Sequence, residues 1–403
     1  MSIKVKLFSR NINKISLIYD WEQRKLGEVV ERVQGNDGRV DLPTLTISAG
    51  NGWLDQRERF SKNIAGKEQK NYTLLSKGNL SYNKGNSKLA KYGVVFELKS
   101  YKEALVPKVY HSFKPTYESR SDFLEYMFAT KIPDNELAKL ITSGARMDGL
   151  LNIGFESFIG IKMHIPSLPE QTSIGTFFRT IDDSITLHKR KLDLLKQIKQ
   201  GYLQQMFPKN GENVPRLRFA NFEGDWIKRK LGKILYEFSK KSKVENQHVL
   251  LSSTNLGMEF RTGRVSGSSN IGYKIINNGD LVLSPQNLWL GNININNIGC
   301  GLVSPSYKIF KIIDVDLDFL KPQLRMQKML ENYKNVSTQG ASIVRRNLEI
   351  ESFNEITIKV PCNYEQFEVG DFFVSIDHIT NLYQQKEYQL LLQKRVYLQM
   401  MFI

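Results

Sequence analysis

The chain is predicted to be an α+β protein built from two related globular domains with pseudo-two-fold symmetry. Two long helices, forming an antiparallel coiled coil, separate the domains. Three observations predict this: an internal duplication, a 3.5-residue apolar period in two long segments, and short strand-like runs broken by turns.

The duplication is explicit. Trp21-Glu-Gln-Arg-Lys-Leu-Gly27 returns as Trp226-Ile-Lys-Arg-Lys-Leu-Gly232, 205 residues later. Pro166 to Phe207 returns without a gap as Pro361 to Phe402, 195 residues later. Glu170-Gln171 matches Glu365-Gln366, Phe177-Phe178 matches Phe372-Phe373, and Met206-Phe207 matches Met401-Phe402. This period is far too long for a solenoid repeat and points to two domain-sized copies. The boundaries follow: an atypical lead-in at 1–20, domains at 21–165 and 209–360, and helices at 166–208 and 361–403.

Each domain reads as short strands between turns. Leu45-Thr-Ile47 and Val94-Val-Phe-Glu-Leu98 are strand-like. Gly35-Asn-Asp-Gly38, Gly50-Asn-Gly52, Lys77-Gly78 and Asn83-Lys-Gly85 are turn signals. Asp122 to Thr130 predicts a short helix, and Ile153 to Pro166 a closing strand with Ile159, Ile161, Met163 and Ile165 alternating. Lys77-Gly-Asn-Leu80 reappears as Asn278-Gly-Asp-Leu281.

The long segments differ in kind. Ile174, Phe178, Ile181, Ile185, His188, Leu192, Leu195, Lys199, Tyr202 and Met206 step by four and three. Val369, Phe373, Ile376, Thr380, Tyr383, Glu387, Leu390, Lys394, Tyr397 and Met401 do the same. That spacing marks coiled-coil seams, with Lys199, Lys394 and Glu387 as polar seam positions that select register and partner. Pro166 and Pro169 stand before the first helix, Thr172 or Ser173 is placed to cap it, and Pro208 ends it. About 37 residues at 1.5 Å each make a rod of roughly 55 Å. In the second copy Cys362-Asn-Tyr364 replaces Ser167-Leu-Pro169, which predicts a different helix start.

Composition bears on partners. There are 57 Lys+Arg against 41 Asp+Glu, a net charge of +16 and a pI near 9.5. Such an excess favours a polyanion, nucleic acid first. The two cysteines, Cys300 and Cys362, form no paired motif, which fits a reducing cytoplasm. Met1 to Arg10 is basic but has no apolar stretch, so it is not read as a signal peptide. No run is long enough for a membrane span, and no membrane partner is expected.

Catalytic signals are weak. Gly267-Ser-Ser-Asn-Ile-Gly272-Tyr273-Lys274 lacks the Lys-Ser/Thr pair of a P-loop. Glu97-Leu-Lys99 has the Glu-x-Lys form of a nuclease strand but no partner Asp, so both charges are read as the solvent face of a strand. The five histidines show no metal-ligand spacing. No catalytic, cofactor-binding or metal-binding residue is assigned.

The order of the repeated words resembles the specificity subunit of type I restriction–modification enzymes. The words are Pro215-Arg-Leu-Arg-Phe219, Phe222-Glu-Gly224 and Trp226 to Gly232, then Ser143-Gly-Ala-Arg146 through Ile165-Pro-Ser-Leu-Pro-Glu-Gln171, and Gly201-Tyr-Leu-Gln-Gln-Met-Phe207. The resemblance covers almost the whole chain. It departs at residues 1–20, which lack the Pro-Arg-Leu-Arg-Phe lead-in.

The resemblance implies two target-recognition domains, each reading half of a split double-stranded DNA site. It implies helices that hold two methyltransferase (modification) subunits, with restriction/translocase subunits joining them. S-adenosylmethionine, ATP and Mg would sit on those partners, with no cofactor in this chain, which would be no enzyme. A stand-alone DNA-binding protein, such as a repressor or an orphan recognition subunit, is the alternative. A structural coiled-coil protein and a nuclease built on Glu97 and Lys99 are more distant ones.

Two unlike readers in one chain suit an asymmetric site, since a homodimer would demand a palindrome. Asn and Gln can pair bidentately with adenine, and Lys or Arg with guanine. Asn83, Lys84, Asn86 and Lys88 are therefore the expected base readers in the first domain, and Ser284, Gln286 and Asn287 in the second. Arg57, Arg59, Arg146, Arg261, Arg264, Arg345 and Arg346 are expected on phosphates, which position the protein without reading sequence. Phe177, Phe178 and Tyr202 are expected to pack in the seam or against the domains rather than on a partner.

Overall fold

The computed structural model describes residues 21–60, 66–85, 87–141, 150–261, 269–339 and 345–402. The chain divides into two compact units, Met1–Leu187 with Lys386–Ile403, and His188–Gln385. Each contains a globular part and one half of each long helix, Leu168–Gln205 and Asn363–Met401.

In the first unit the central sheet is four-stranded and antiparallel. Its order is Val30–Val33, His111–Pro115, Leu80–Asn83, Val94–Glu97. Three antiparallel two-stranded ladders accompany it: Glu22–Lys25 with Lys162–Ile165, Leu45–Ser48 with Gly52–Asp55, and Thr73–Ser76 with Glu103–Val106. The second unit repeats the sheet as Leu235–Phe238, Lys308–Ile312, Leu281–Leu283, Ile293–Ile295. Its ladders are Ile227–Lys230 with Thr357–Val360, Leu251–Ser253 with Met258–Phe260, and Lys274–Ile276 with Gly301–Val303. A further ladder joins Ser337–Gln339 to Arg346–Leu348.

The repeated turn before each central strand has a clear cause. Gly78 and Gly279 sit at φ +89° and +85°, a left-handed conformation that glycine adopts without steric cost. The next residue then locks the turn with its side chain. Asn79 Oδ1 accepts from Ser76 N (2.9 Å), and Asp280 Oδ2 accepts from Asn277 N (2.7 Å).

The repeated Glu-Gln pair fastens each long helix to its globular part. Trp21 donates its indole N–H to Glu170 and Trp226 to Glu365, each at 3.2 Å. Gln171 Nε2 donates to the Pro166 carbonyl and its Oε1 accepts from Arg120 N. Gln366 does the same with Pro361 and Asp316. Arg218, from the lead-in to the second unit, grips Glu365 with two nitrogens at 2.7 Å. Glu170 has no such arginine among the described residues, and its buried Oε2 lacks a hydrogen-bond partner there.

The helix seams lie where the period placed them. Every position of both predicted stripes is buried or half-buried. In the first unit Phe177 meets Tyr397 and Asp182 meets Lys394, so numbers rise on one helix as they fall on the other. In the second unit Tyr202 meets Phe372 and Lys199 meets Asp377. The pairing in each unit is antiparallel. The seam runs into the domain cores: Trp21, Phe123, Phe178 and Phe402 cluster in one unit, and Trp226, Phe319, Phe373 and Phe207 in the other. Phe177, Phe178 and Tyr202 therefore pack inward, as expected. Each fully buried aromatic of this kind is worth roughly 1.5–3 kcal/mol of burial.

Four local expectations need correction. Ile153 to Pro166 is not one strand: Phe155–Ile159 is helical, burying Phe155 and Phe158 on one face, and only Lys162–Ile165 is extended. Gly154 and Gly160 bracket that turn of helix. Thr172 and Ser173 do not cap the first long helix. It starts at Leu168 with Pro169 in its first turn, where a proline costs no hydrogen bond, and both hydroxyls bond the carbonyl four residues back. The second helix starts at the equivalent residue, Asn363, despite its different sequence there. Finally, Glu97 faces inward at 9% exposure against helix Ser121–Ala129, so it is not on a solvent face.

Candidate nucleic-acid interface

In both units the second inner strand of the sheet ends in the loop expected to read bases. In the first unit this is Asn83-Lys84-Gly85. Asn83 Nδ2 donates to the Ile47 carbonyl (3.2 Å), and its Oδ1 accepts from Gly85 N (3.1 Å). Arg59 donates to the same Ile47 carbonyl (3.3 Å) and lies over Phe60. One expected base reader and one expected phosphate contact thus converge on a single backbone oxygen. Lys84 Nζ donates to the Ile153 carbonyl (3.3 Å). Lys88 stands exposed on the Ser87–Ala90 turn. Arg57 is exposed on helix Gln56–Phe60, whose start is held by Asp55 Oδ1 accepting from Arg57 N (2.8 Å). Asn86 and Arg146 lie outside the described residues.

In the second unit the strand runs into Ser284-Pro285-Gln286-Asn287. Asn287 N donates to Ser284 O (3.2 Å) and Ser284 N to Asn292 O (3.0 Å), so the loop is closed by its own backbone. The Gln286 side chain is exposed, while its carbonyl accepts from Arg346 N (3.1 Å). That bond brings the expected readers beside the Arg345-Arg346 pair, sixty residues away in sequence. The two arginines differ. Arg345 is exposed. Arg346 is tied to the framework, with Nε on Ser337 Oγ (2.8 Å) and Nη2 on the Ser337 carbonyl (2.6 Å). Arg261 is half-buried and joined to Leu250 O through its backbone, and Arg264 lies outside the described residues.

Sequence reasoning missed one feature of the first unit, a cleft of about 460 Å³ beside Lys84. Its basic lining is Arg32, Lys84, Lys108 and His111, with Phe155 on one wall. Arg32 stacks its guanidinium over Phe155 at 4.4 Å. His111 Nε2 lies 2.8 Å from the Ile153 carbonyl. Burial first, then the charges of Lys84 and Arg32, hold the His111 imidazole below its ordinary range, against that hydrogen bond. These residues come from four separate segments, so no local pattern announced them.

The described residues contain no group of three or more His, Cys, Asp or Glu side chains placed to hold a metal ion. None of their helices is long and apolar enough to cross a membrane.

Residues 19–197 match the family described as type I restriction modification DNA specificity domain. No curated protein matches the chain. Among solved structures, the chain is similar to the type I restriction-modification system S subunit from M. genitalium. That match has 13% identity, covers 96% of this chain and 97% of the other, and has a TM-score of 0.62, which shows a shared fold. The HsdS subunit from Thermoanaerobacter tengcongensis aligns with 13% identity over 96% and 97% of the two chains, at a TM-score of 0.45. A chain from a structural study of complex assembly and conformational transition in the type I R-M system aligns with 12% identity over 95% and 97%, at 0.48.

Proposed function

We propose that this chain is a DNA specificity subunit of the type I restriction–modification family, as the family match over residues 19–197 supports, and that each unit reads one half of an asymmetric, bipartite double-stranded DNA site. One observation carries this reading. The same four-stranded sheet occurs twice, and at the same strand end it presents Asn83-Lys84-Gly85 in one unit and Ser284-Pro285-Gln286 in the other. Equivalent scaffolds with unlike polar loops are what two different half-sites require.

The subunit itself is non-catalytic. The chemistry belongs to partners: two methyltransferase subunits carrying S-adenosylmethionine, and restriction/translocase subunits using ATP and Mg. The long helices supply the surface for the former. Outside their seams they expose Leu187 and Leu194 on one helix, and Leu382, Tyr388, Leu391 and Met400 on the other. Apolar residues left out of a seam in such numbers suit a protein partner. The place of action is the cytoplasm, where the DNA is and where exposed Cys300 and Cys362 stay reduced.

Within each half-site the base-reading residues are Asn83, Lys84, Asn86 and Lys88, and Ser284, Gln286 and Asn287. Arg57, Arg59, Arg146, Arg261, Arg264, Arg345 and Arg346 would lie along the backbone. Single-molecule sequencing of host DNA, with and without this chain, tests the reading. A split methylated motif that disappears with the chain supports it; an unchanged methylation pattern overturns it.

A further inference from the structure

A cavity of about 700 Å³ in the second unit takes no part in the reading loops. It lies where the chain leaving the first long helix, from Phe207 to Asn213, passes helix Gln327–Asn335 and strand Thr357–Val360. Its size is that of a small-molecule site. Phe207, Met326, Met329 and Ile356 supply apolar wall, and the exposed Lys209, Lys228 and Lys328 also line it. One wall residue is out of place. Gln323 is only 6% exposed. Its Nε2 donates to the Lys359 carbonyl (3.1 Å), while its buried Oε1 has no hydrogen-bond partner. The scaffold does not need an amide there. Gln323 stands four residues after Phe319, and the residue four after the matching Phe123 is Met127, buried in the first unit's core. A buried acceptor left unmade is costly, and a methionine would avoid that cost.

We infer that this cavity binds a nucleotide whose base carries an amino group beside a ring-nitrogen acceptor, as adenine does, with the base edge on Gln323 and the phosphate among Lys209, Lys228 and Lys328. The inference is independent of the DNA-reading role proposed above. The bond to Lys359 fixes which way the amide points, because a flipped amide would set its oxygen against the Lys359 carbonyl. Oε1 is therefore a fixed acceptor, and Nε2 keeps its second N–H. An acceptor and a donor side by side are what an amide uses to hold adenine through two hydrogen bonds. The thioethers of Met326 and Met329 are suited to the faces of an aromatic ring. The cations are available to an anion. Among the described residues Lys209, Lys228 and Lys328 make no ion pair, and the one lining carboxylate, Glu355, is held by Lys230. Lys359 is engaged, since its ammonium donates to the Glu212 carbonyl and to Asn213 Oδ1. Burial first, then the charge of Lys359, hold the Lys328 ammonium below its ordinary range, and a bound phosphate would offset both.

The test is isothermal titration calorimetry of the full chain with adenosine monophosphate, which is expected to saturate a single site. Purine riboside monophosphate lacks only the amino group and is expected to bind the wild-type chain about tenfold more weakly or worse. Gln323→Met installs the first unit's residue. It is expected to weaken adenosine monophosphate by a similar factor and to unfold at no lower urea concentration than wild type. Lys228→Ala with Lys328→Ala, at exposed positions, is expected to weaken adenosine monophosphate and leave adenosine unchanged. An oligothymidine strand carrying one adenine separates the two sources of such a base. Competition by that strand, and not by its all-thymine version, assigns the site to a base within nucleic acid; competition by neither assigns it to a free nucleotide. Three results would each overturn the assignment: no saturation by adenosine monophosphate, binding no tighter than that of inorganic phosphate, or undiminished binding by a folded Gln323→Met variant. None of them touches the DNA-reading role, which duplex binding measures separately.

Discussion

Lys394 donates to Asp182 across the paired helices at 2.6 Å, and its copy 195 residues earlier, Lys199, makes the same bond to Asp377. The aromatic pairs repeat in the same way: Phe177 on Tyr397 at 5.2 Å, and Phe372 on Tyr202 at 4.8 Å, each edge-to-face. A lysine in an apolar seam would lower stability without an anion to meet it. The matching aspartate appears only when the two helices run in opposite directions, so each pair fixes both direction and register.

These ion pairs should be measurable by double-mutant cycles. Their side chains are about a quarter to a third exposed, so solvent screening limits each coupling to about 0.5–1 kcal/mol. Removing Lys394 should cost more than removing Lys199, because Asp182 also accepts from the Tyr126 hydroxyl at 2.8 Å and sits in a tighter network. Equal costs in chemical denaturation would refute that ranking.

One substitution should have opposite signs along the same helix. A Cβ on Gly175 would lie 2.5 Å from Asp122 Cγ, and one on Gly370 would lie 2.8 Å from the Phe319 backbone nitrogen. Asp122 cannot yield easily, since Arg120 and Arg179 both hold its carboxylate. Gly175→Ala and Gly370→Ala should each destabilise by about 1–3 kcal/mol. Gly201 has open space around it in mid-helix. Gly201→Ala should stabilise by about 1 kcal/mol. Thermal melts of the three variants decide the matter.

Arg345→Ala and Arg346→Ala should separate a DNA contact from a structural one. Arg345→Ala is expected to leave stability unchanged and flatten the salt dependence of duplex binding by about one unit. Arg346→Ala strips two hydrogen bonds from Ser337 and should destabilise the second unit by about 1–3 kcal/mol. Replacing Gln286 and Asn287 by Ala should relax one half-site only, seen as a degenerate half-motif in methylation sequencing. Loss of both halves together would exclude that role.

Stability should carry a signature of Glu97. Burial is the largest influence and raises its carboxyl above the ordinary range, although Lys99 and Arg179 oppose it. A carboxyl raised in the folded state favours folding while protonated, and that contribution is lost as pH climbs from the unfolded value of 4.5 through the folded one. Glu97→Gln mimics the protonated form. It should match wild type near pH 4 and exceed it at pH 7 in urea unfolding; a deficit at pH 7 would contradict this account.

Periodic features were legible from residues alone. The duplication, both seams, the helix at Ser121–Ala129 and the turns at Gly78 and Gly279 depend on local spacing and local backbone preference, which the chain states directly. The helix at Phe155–Ile159 was missed because five residues hold too little periodicity to outweigh the alternating apolar run around it. The inward turn of Glu97 was missed because its partners, Lys99, Glu125 and Arg179, come together only when strand and helices pack. The basic cleft was missed for the same reason.

By itself the sequence determined that the molecule is doubled, that its helices are seamed, and that the two loops proposed to read bases differ. Only tertiary structure decided which charges meet. It joined Lys394 to Asp182, tied Arg346 into the framework, left Arg345 free to the solvent, and gathered Arg32, Lys108 and His111 around one cleft. Periodicity is a property of neighbours along the chain. Electrostatic pairing depends on distance and burial, and those exist only once separate segments are packed together.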